Sequence, residues 1–446
     1  MKFAILFAGL LAAISLARAD TTAFVNVNVV TMTSETVLTG QTVIIRDGLI
    51  ETLGPVDATP VPDGTVIIDG TDRFLMPGLT EMHAHIAPVD AASFQRTLDL
   101  FVVNGVTTVR GMLGHPSHLA LRDQLLSGAV FGPRLITSGP SLNGNSVSGA
   151  ADAAAKVRAQ ADAGYDFLKL HPGLTLDEFN AIDAAADEHG LTYAGHISVA
   201  VGLRRSLDAG MATVDHLDGY LVAMLPNDHH GAGGFGGFFD VLLAMDIDES
   251  LIDTVVDATV RAGTWNVPTQ LLIENVISTR PAEELGRLPE MRYMPAAVVD
   301  SWIATKKQVM ASGVDPKIAR RAIEVRRKLL LALHRSSGRL LLGSDAPQVF
   351  NVPGFSSHRE LALLVEAGLS PFDALSTGTI RAAEFLELPI GRIEPGAAAD
   401  LVLVDDNPLN DIANSQRVHG VMLRGRWISP EERRAILDRY RREDDA

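Results

Sequence analysis

From Gly78 onward the chain alternates short apolar runs with longer Ala- and Leu-rich stretches of helix length. The runs are Leu79–His85, Val106–Arg110, Arg134–Ser138, Asp166–His171, Thr192–His196, Ala212–His216, Thr264–Pro268 and Leu340–Asp345. Each has the length of a strand and is followed by a segment long enough to cross back over a sheet. Eight such units predict an α/β fold with a parallel sheet closed into a TIM-like (β/α)8 barrel. The connections after the sixth and seventh runs are long enough for extra helices.

The flanks follow a different rule. Residues 22–75 carry short β-branched runs, among them Thr42-Val43-Ile44-Ile45-Arg46, which ends at the hairpin signal Asp47-Gly48. After about residue 388 the pattern returns, with Ala399 to Val404, Gly420 to Leu423, and a turn at Arg424-Gly425 before Arg426-Trp427-Ile428. The two ends are therefore expected to pair into one small β-sandwich, with residues 20–77 as its first part and 389–428 as its second. The barrel takes 78–388. Ser429-Pro430-Glu431-Glu432 caps a short charged helix within 429–446.

Residues 1–19 read as a signal peptide: Lys2, an apolar run from Phe3 to Leu16, and an A-x-A site at Ala17-Arg18-Ala19. The run is shorter than the roughly 20 residues that span a bilayer. Cleavage without a stable membrane anchor, and a periplasmic or secreted location, are the expectation. The whole chain carries a net charge of −16 and no basic block, which argues against nucleic acid as a partner. A small-molecule substrate is expected, and a homo-oligomer is left open.

The chain has no cysteine, so a metal site must draw on His, carboxylates, carbonyls or a modified Lys. His83 and His85 sit two apart at the end of the first barrel run, where a period of two points both to one face. Lys169 lies inside Phe167-Leu168-Lys169-Leu170. Burial would keep it neutral, and a neutral amine can take up carbon dioxide as a carbamate able to bridge two metals. The bland alternative is a lysine reaching for the barrel rim. His196, His216 and Asp345 end three further runs. Singly each has an ordinary structural explanation. Jointly they converge, because all strand ends of a parallel barrel face one mouth.

Gly78-Leu79-Thr80-Glu81-Met82-His83-Ala84-His85 resembles the first-strand motif of the amidohydrolase superfamily. Lys169, His196, His216 and Asp345 fall where its other ligands stand, and Gly391 to Gly396 with Ala399-Asp400-Leu401-Val402 fit its flanking strands. The chain looks most similar to the imidazolonepropionase-like branch, which includes Xaa-Pro dipeptidases. The stretch His358-Arg359-Glu360-Leu361 is similar to the segment after the last strand in that branch. The resemblance implies two divalent ions, with zinc as the default and manganese, cobalt or iron suiting the same donors. His83, His85 and Asp345 would hold one ion and His196 and His216 the other. The Lys169 carbamate and a water would bridge them, and Asp345 would shuttle the proton as the catalytic residue. The absence of an acid beside His196 and the presence of Lys169 favour hydrolysis over deamination.

Candidate substrate contacts are His171, two residues past Lys169, Asn143 on the loop after the third run, Tyr220 after His216, and His358. The expected reaction is hydrolysis of an amide, of a dipeptide or an N-acyl amino acid. A lactone, ester or carbamate on the same site is the alternative, and a non-catalytic metal-holding protein is the remote one. The stretch 231–237, with five glycines, reads as a lid or as a mobile loop on the rim.

Overall fold

A computed structural model describes residues 21–226 and 238–442. Residues 1–19, read above as a signal peptide, and the Gly-rich stretch 231–237 lie outside the described residues. Five strands precede residue 78: β1 (Thr21–Val30), β2 (Val37–Arg46), β3 (Leu49–Pro55), β4 (Val66–Asp69) and β5 (Phe74–Pro77). Seven more follow: β6 (Leu79–Ala84), β7 (Val106–Gly111), β8 (Arg134–Thr137), β9 (Leu168–Leu170), β10 (Tyr193–Gly195), β11 (Thr213–Asp215) and β12 (Trp265–Val267). The chain ends with β13 (Leu401–Val404), β14 (Val418–Leu423), β15 (Arg426–Ile428) and the helix Pro430–Asp438.

The two chain ends share one sheet, in the order β15-β14-β13-β5-β1-β2-β3, with β4 also paired to β1. The joint is β5 against β13, antiparallel, from Phe74 opposite Val404 to Pro77 opposite Leu401. Asp47 and Gly48 both have positive φ, as do Arg424 and Gly425. These are the two-residue turns whose twist suits a hairpin, and they close β2 on β3 and β14 on β15. The sheet curls until Leu49 bridges Ala398. Phe24, Val27, Val43, Ile45, Leu75, Leu401, Leu403 and Met422 fill the hollow.

The middle of the chain is α/β with parallel sheets. One sheet runs β6-β7-β8 and the other β12-β11-β10-β9. Parallel bridges link them at Ser138 with Phe167 and Leu142 with Leu170. On the far side Asn266 bridges Leu340, and Ala84 bridges Ala346. Residues 340–345 were expected to form a regular strand, yet only Leu340 is a bridge residue. Their backbone still bonds both neighbours: Leu341 N donates to the Asn266 carbonyl at 2.9 Å, and Met82 N donates to the Leu342 carbonyl at 2.7 Å. A positive φ at Asp345 ends the extended run. The long connections hold the expected helices, including Ile252–Ala262, Ala296–Ala311 and Pro316–Ser337. Among the described residues no helix is long and apolar enough to cross a membrane.

Candidate metal centre

The carboxyl ends of the parallel strands bring five imidazoles into one arc. Ring centroids are 5.5 Å apart for His85 and His83, 4.6 Å for His83 and His216, 4.5 Å for His216 and His196, and 4.9 Å for His196 and His171. Asp345 enters from the segment after residue 340, its Oδ1 2.8 Å from His85 Nε2 and 3.7 Å from His83 Nε2. Donor atoms of His83, His85 and Asp345 all lie within 4.8 Å of one another, a group able to hold a metal ion. Lys169 is fully buried beneath them, with Nζ 3.7 Å from Asp215 Oδ2.

Local backbone breaks aim these side chains. The β6–β7 register slips between Glu81 and Ala84. His83 therefore faces the arc while Glu81 turns away, accepting bonds from Ser344 N at 2.7 Å and Ser357 Oγ at 2.8 Å. Burial pushes the Glu81 carboxyl up to about 7, against those hydrogen bonds. His216, Thr269 and Asp345 have positive φ, a conformation that non-glycine residues adopt mainly under constraint. Each stands where a strand or strand-like segment ends.

A further ring of partners fixes the imidazoles. Asp218 Oδ2 stands 2.7 Å from His196 Nδ1, and Thr269 Oγ1 stands 2.8 Å from His216 Nδ1. Asp215 Oδ2 is 2.9 Å from His83 Nδ1, in a geometry too bent for a hydrogen bond. These contacts leave each Nε2 for a cation. Asp215, Thr269 and Glu81 were not legible as site residues, because nothing in their own stretches marks them. Burial lowers the pKa of His83 and His216 well below the ordinary value, helped by the neighbouring cationic groups. Burial also lowers Lys169, against the pull of Asp215 and Asp345. Burial pushes the Asp345 carboxyl up, but the facing His83 and His85 outweigh it and hold it below the usual carboxylate range.

The arc floors a pocket of about 170 Å³, walled by Phe238, Phe239, Leu272, Gln348 and Val349. Phe239 lies over His216 and His196, at centroid distances of 4.8 and 5.9 Å. Of the expected substrate contacts, only His171 lines this pocket, with Nδ1 2.6 Å from Ser141 Oγ. Tyr220 is a correction: it is fully buried, and its hydroxyl bonds Thr259 Oγ1 at 2.8 Å. His358 is another, held between Ser415 Oγ at 2.9 Å and the Asn104 carbonyl at 2.8 Å. Asn143 does not line the pocket either. Its Oδ1 accepts from Asn145 N and Ser146 N at 2.8 and 3.0 Å, which shapes its own turn.

Among the described residues, four buried polar atoms of the arc and its floor lack hydrogen-bond partners: His83 Nδ1, Lys169 Nζ, Asp215 Oδ2 and Asp345 Oδ1. Clustered orphans of this kind are costly unless something binds them. Imidazole and carboxylate donors around a buried amine suit a divalent cation.

Residues 74–428 match the profile of the amidohydrolase family. No curated protein matches the chain in sequence. Among solved structures, a provisional prolidase from Bifidobacterium longum is 22% identical, with a TM-score of 0.69 over 95% of this chain and 99% of that one. A bottromycin amidohydrolase is 23% identical, with a TM-score of 0.70 over 95% of this chain and 91% of that one. A Xaa-Pro dipeptidase with bound methionine is 21% identical, with a TM-score of 0.65 over 92% of this chain and all (100%) of that one. At these identities the structures speak for the fold, whereas the family profile covers most of the chain and its clustered His and Asp donors. The chain belongs to the amidohydrolase family and is a hydrolase acting on C–N bonds.

Proposed function

We propose that this chain is a binuclear metal-dependent hydrolase that cleaves the amide bond of a dipeptide or an N-acyl amino acid. The observation that carries the proposal is the convergence of the His83, His85 and Asp345 donors within 4.8 Å of one another, in an arc with His196 and His216 above the unpaired, buried Lys169 Nζ. His83, His85 and Asp345 would hold one ion and His196 and His216 the second, with a carbamate on Lys169 between them. Two divalent ions, zinc by default, supply Lewis acidity and a water acidic enough to react near neutral pH. Asp345 stays ionised, so it accepts the proton of the attacking water and returns it to the leaving nitrogen. Burial lowers the pKa of the Lys169 amine, the direction that favours the neutral form carbamate formation requires. Phe239 and Leu272 exclude bulk water from the reacting bond.

The bridges between the two parallel sheets support a closed (β/α)8 barrel as the frame of this site. The division into a barrel at 78–388, a sandwich from 20–77 and 389–428, and a closing helix is part of the same reading. With residues 1–19 as a cleaved leader, the enzyme would act in the periplasm or outside the cell. The exported protein should then begin at Asp20.

Two of the named neighbours are prolidase or dipeptidase structures, which supports a dipeptide. The described walls, Phe238, Phe239, Leu272 and Val349, carry no charge and suit an apolar group beside the scissile bond. They equally favour a second reading, hydrolysis of a neutral ester or lactone. The test is a mass-spectrometric screen of the zinc- and bicarbonate-loaded protein against dipeptides, N-acyl amino acids, esters and lactones. Cleavage of a subset of the amides supports the proposal. Cleavage of esters or lactones alone moves the assignment to the second reading, and no turnover with two ions bound refutes both.

A further inference from the structure

Below the ligand arc lies a second and larger cavity, of about 390 Å³. Its walls include Arg110, Ile136, Phe167, Ala194, Phe385 and Leu386, and it shares no lining residue with the mouth pocket. Phe167 and Ala194 precede Lys169 and His196 by two residues, at or beside β9 and β10, which sets the cavity one layer deeper in the sheet.

Arg110 forms its ceiling. The side chain is 2% exposed. Nε donates to the Met82 carbonyl at 2.8 Å and Nη2 to Thr213 Oγ1 at 3.0 Å, with Asp215 Oδ1 3.5 Å away. Nη1 makes no hydrogen bond with any described residue. The guanidinium is flanked by Phe167 and Phe385, each ring centroid 5.3 Å from Cζ. The rings cover its faces and leave its edge as the site for an acceptor. The other charged group in the lining, Asp166, is already satisfied by Arg122 Nη1 at 2.9 Å and Thr137 N at 2.7 Å.

We propose that this cavity binds a small monocarboxylate with an apolar body, its carboxylate on the free edge of Arg110 and its body between Phe167, Phe385 and Leu386. A desolvated cation with an unused donor favours an anion strongly, and aromatic and aliphatic walls favour an apolar tail. Asp215 links the site to the reaction centre. Asp215 lies 3.5 Å from Arg110, 2.9 Å from His83 and 3.7 Å from Lys169, so an occupant that draws on Arg110 also acts on the anchor of a metal ligand.

Titration calorimetry of the zinc-loaded chain with hexanoate and with hexanamide tests this. Hexanoate binds saturably at one site, and hexanamide binds at least about tenfold more weakly for want of the charge. Ala212→Leu, at another residue of the cavity wall, and Leu386→Trp fill the cavity; each removes hexanoate binding while the melting temperature and zinc content stay near wild type. His196→Asn, which alters only the mouth, keeps it. Equal affinity for acid and amide, no saturable binding of hexanoate, or full binding in both folded cavity-filled variants overturns the proposal. Loss of binding in His196→Asn also overturns it, because the acid would then sit at the mouth.

Discussion

Asp218 accepts from His196 Nδ1 at 2.7 Å, and Thr269 pairs with His216 Nδ1 at 2.8 Å, so two equivalent ring nitrogens have partners of different charge. This sets up a graded perturbation. Asp218→Asn keeps an acceptor and loses the charge. A hydrogen bond to a charged group contributes roughly 1.5–3 kcal/mol and a neutral one about 1 kcal/mol. The difference, about 1.4 kcal/mol, is about tenfold in zinc affinity. Asp218→Ala removes the acceptor as well and lets the ring turn, which places the loss near the upper end of the roughly 10–100-fold range for such partners. Thr269→Val removes only a neutral bond and costs about fivefold. Zinc affinity is read by competition against a chromophoric chelator, with turnover measured in the same preparations. The expected order of loss is Asp218→Ala, Asp218→Asn, Thr269→Val. Unchanged zinc affinity in folded Asp218→Ala, or a larger loss in Thr269→Val, refutes the view that Asp218 orients a ligand.

On the proposed binuclear reading, Lys169→Ala is expected to lower the zinc bound per chain, measured by atomic emission, and to lower turnover about a hundredfold or more. Full zinc content with full activity contradicts a bridging role. A Cβ at Gly343 would stand 2.3 Å from Val267 Cγ1 and 3.0 Å from His83 Cβ. Gly343→Ala should therefore cost about 1–3 kcal/mol in urea unfolding and weaken zinc binding, and Val267→Ala in the same chain should restore part of both. Burial holds the His358 imidazole down at about 4, below its ordinary 6.5. Between those values the unfolded chain takes up a proton that the folded chain refuses. Stability falls as pH drops through that window, by at most about 3 kcal/mol. His358→Gln should flatten this limb in urea unfolding followed from pH 7 to pH 4.

Much of the arc was legible because its donors stand at or near strand ends, and strand ends can be read from local pattern. His83, His85, Lys169, His196, His216 and Asp345 are all found at one mouth for that reason. The hairpins at Asp47-Gly48 and Arg424-Gly425 were legible from turn chemistry that depends only on neighbours in the chain. The anchors were not. Thr269 meets His216 across 53 positions because β11 and β12 are adjacent, and nothing near Thr269 announces it. Tyr220 and His358 misled for a related reason. Proximity in sequence to a ligand, or to a family-like stretch, does not fix direction, and both side chains point into packed interior. The slip in β6 reverses the alternation that would have put Glu81 on the same face as His83. Such an irregularity follows from the register with β7 and leaves no mark in the run itself.

The pairing of β5 with β13 has a consequence for biogenesis. The edge offered by Phe74–Pro77 is made early in synthesis and waits for Leu401–Val404, which leaves the ribosome almost last. Until then the first strands present unpaired amides and carbonyls beside an apolar hollow, the condition under which strands of different chains join. A nascent or truncated chain that stops short of residue 401 would therefore be a client for holding chaperones even with every donor of the arc already translated.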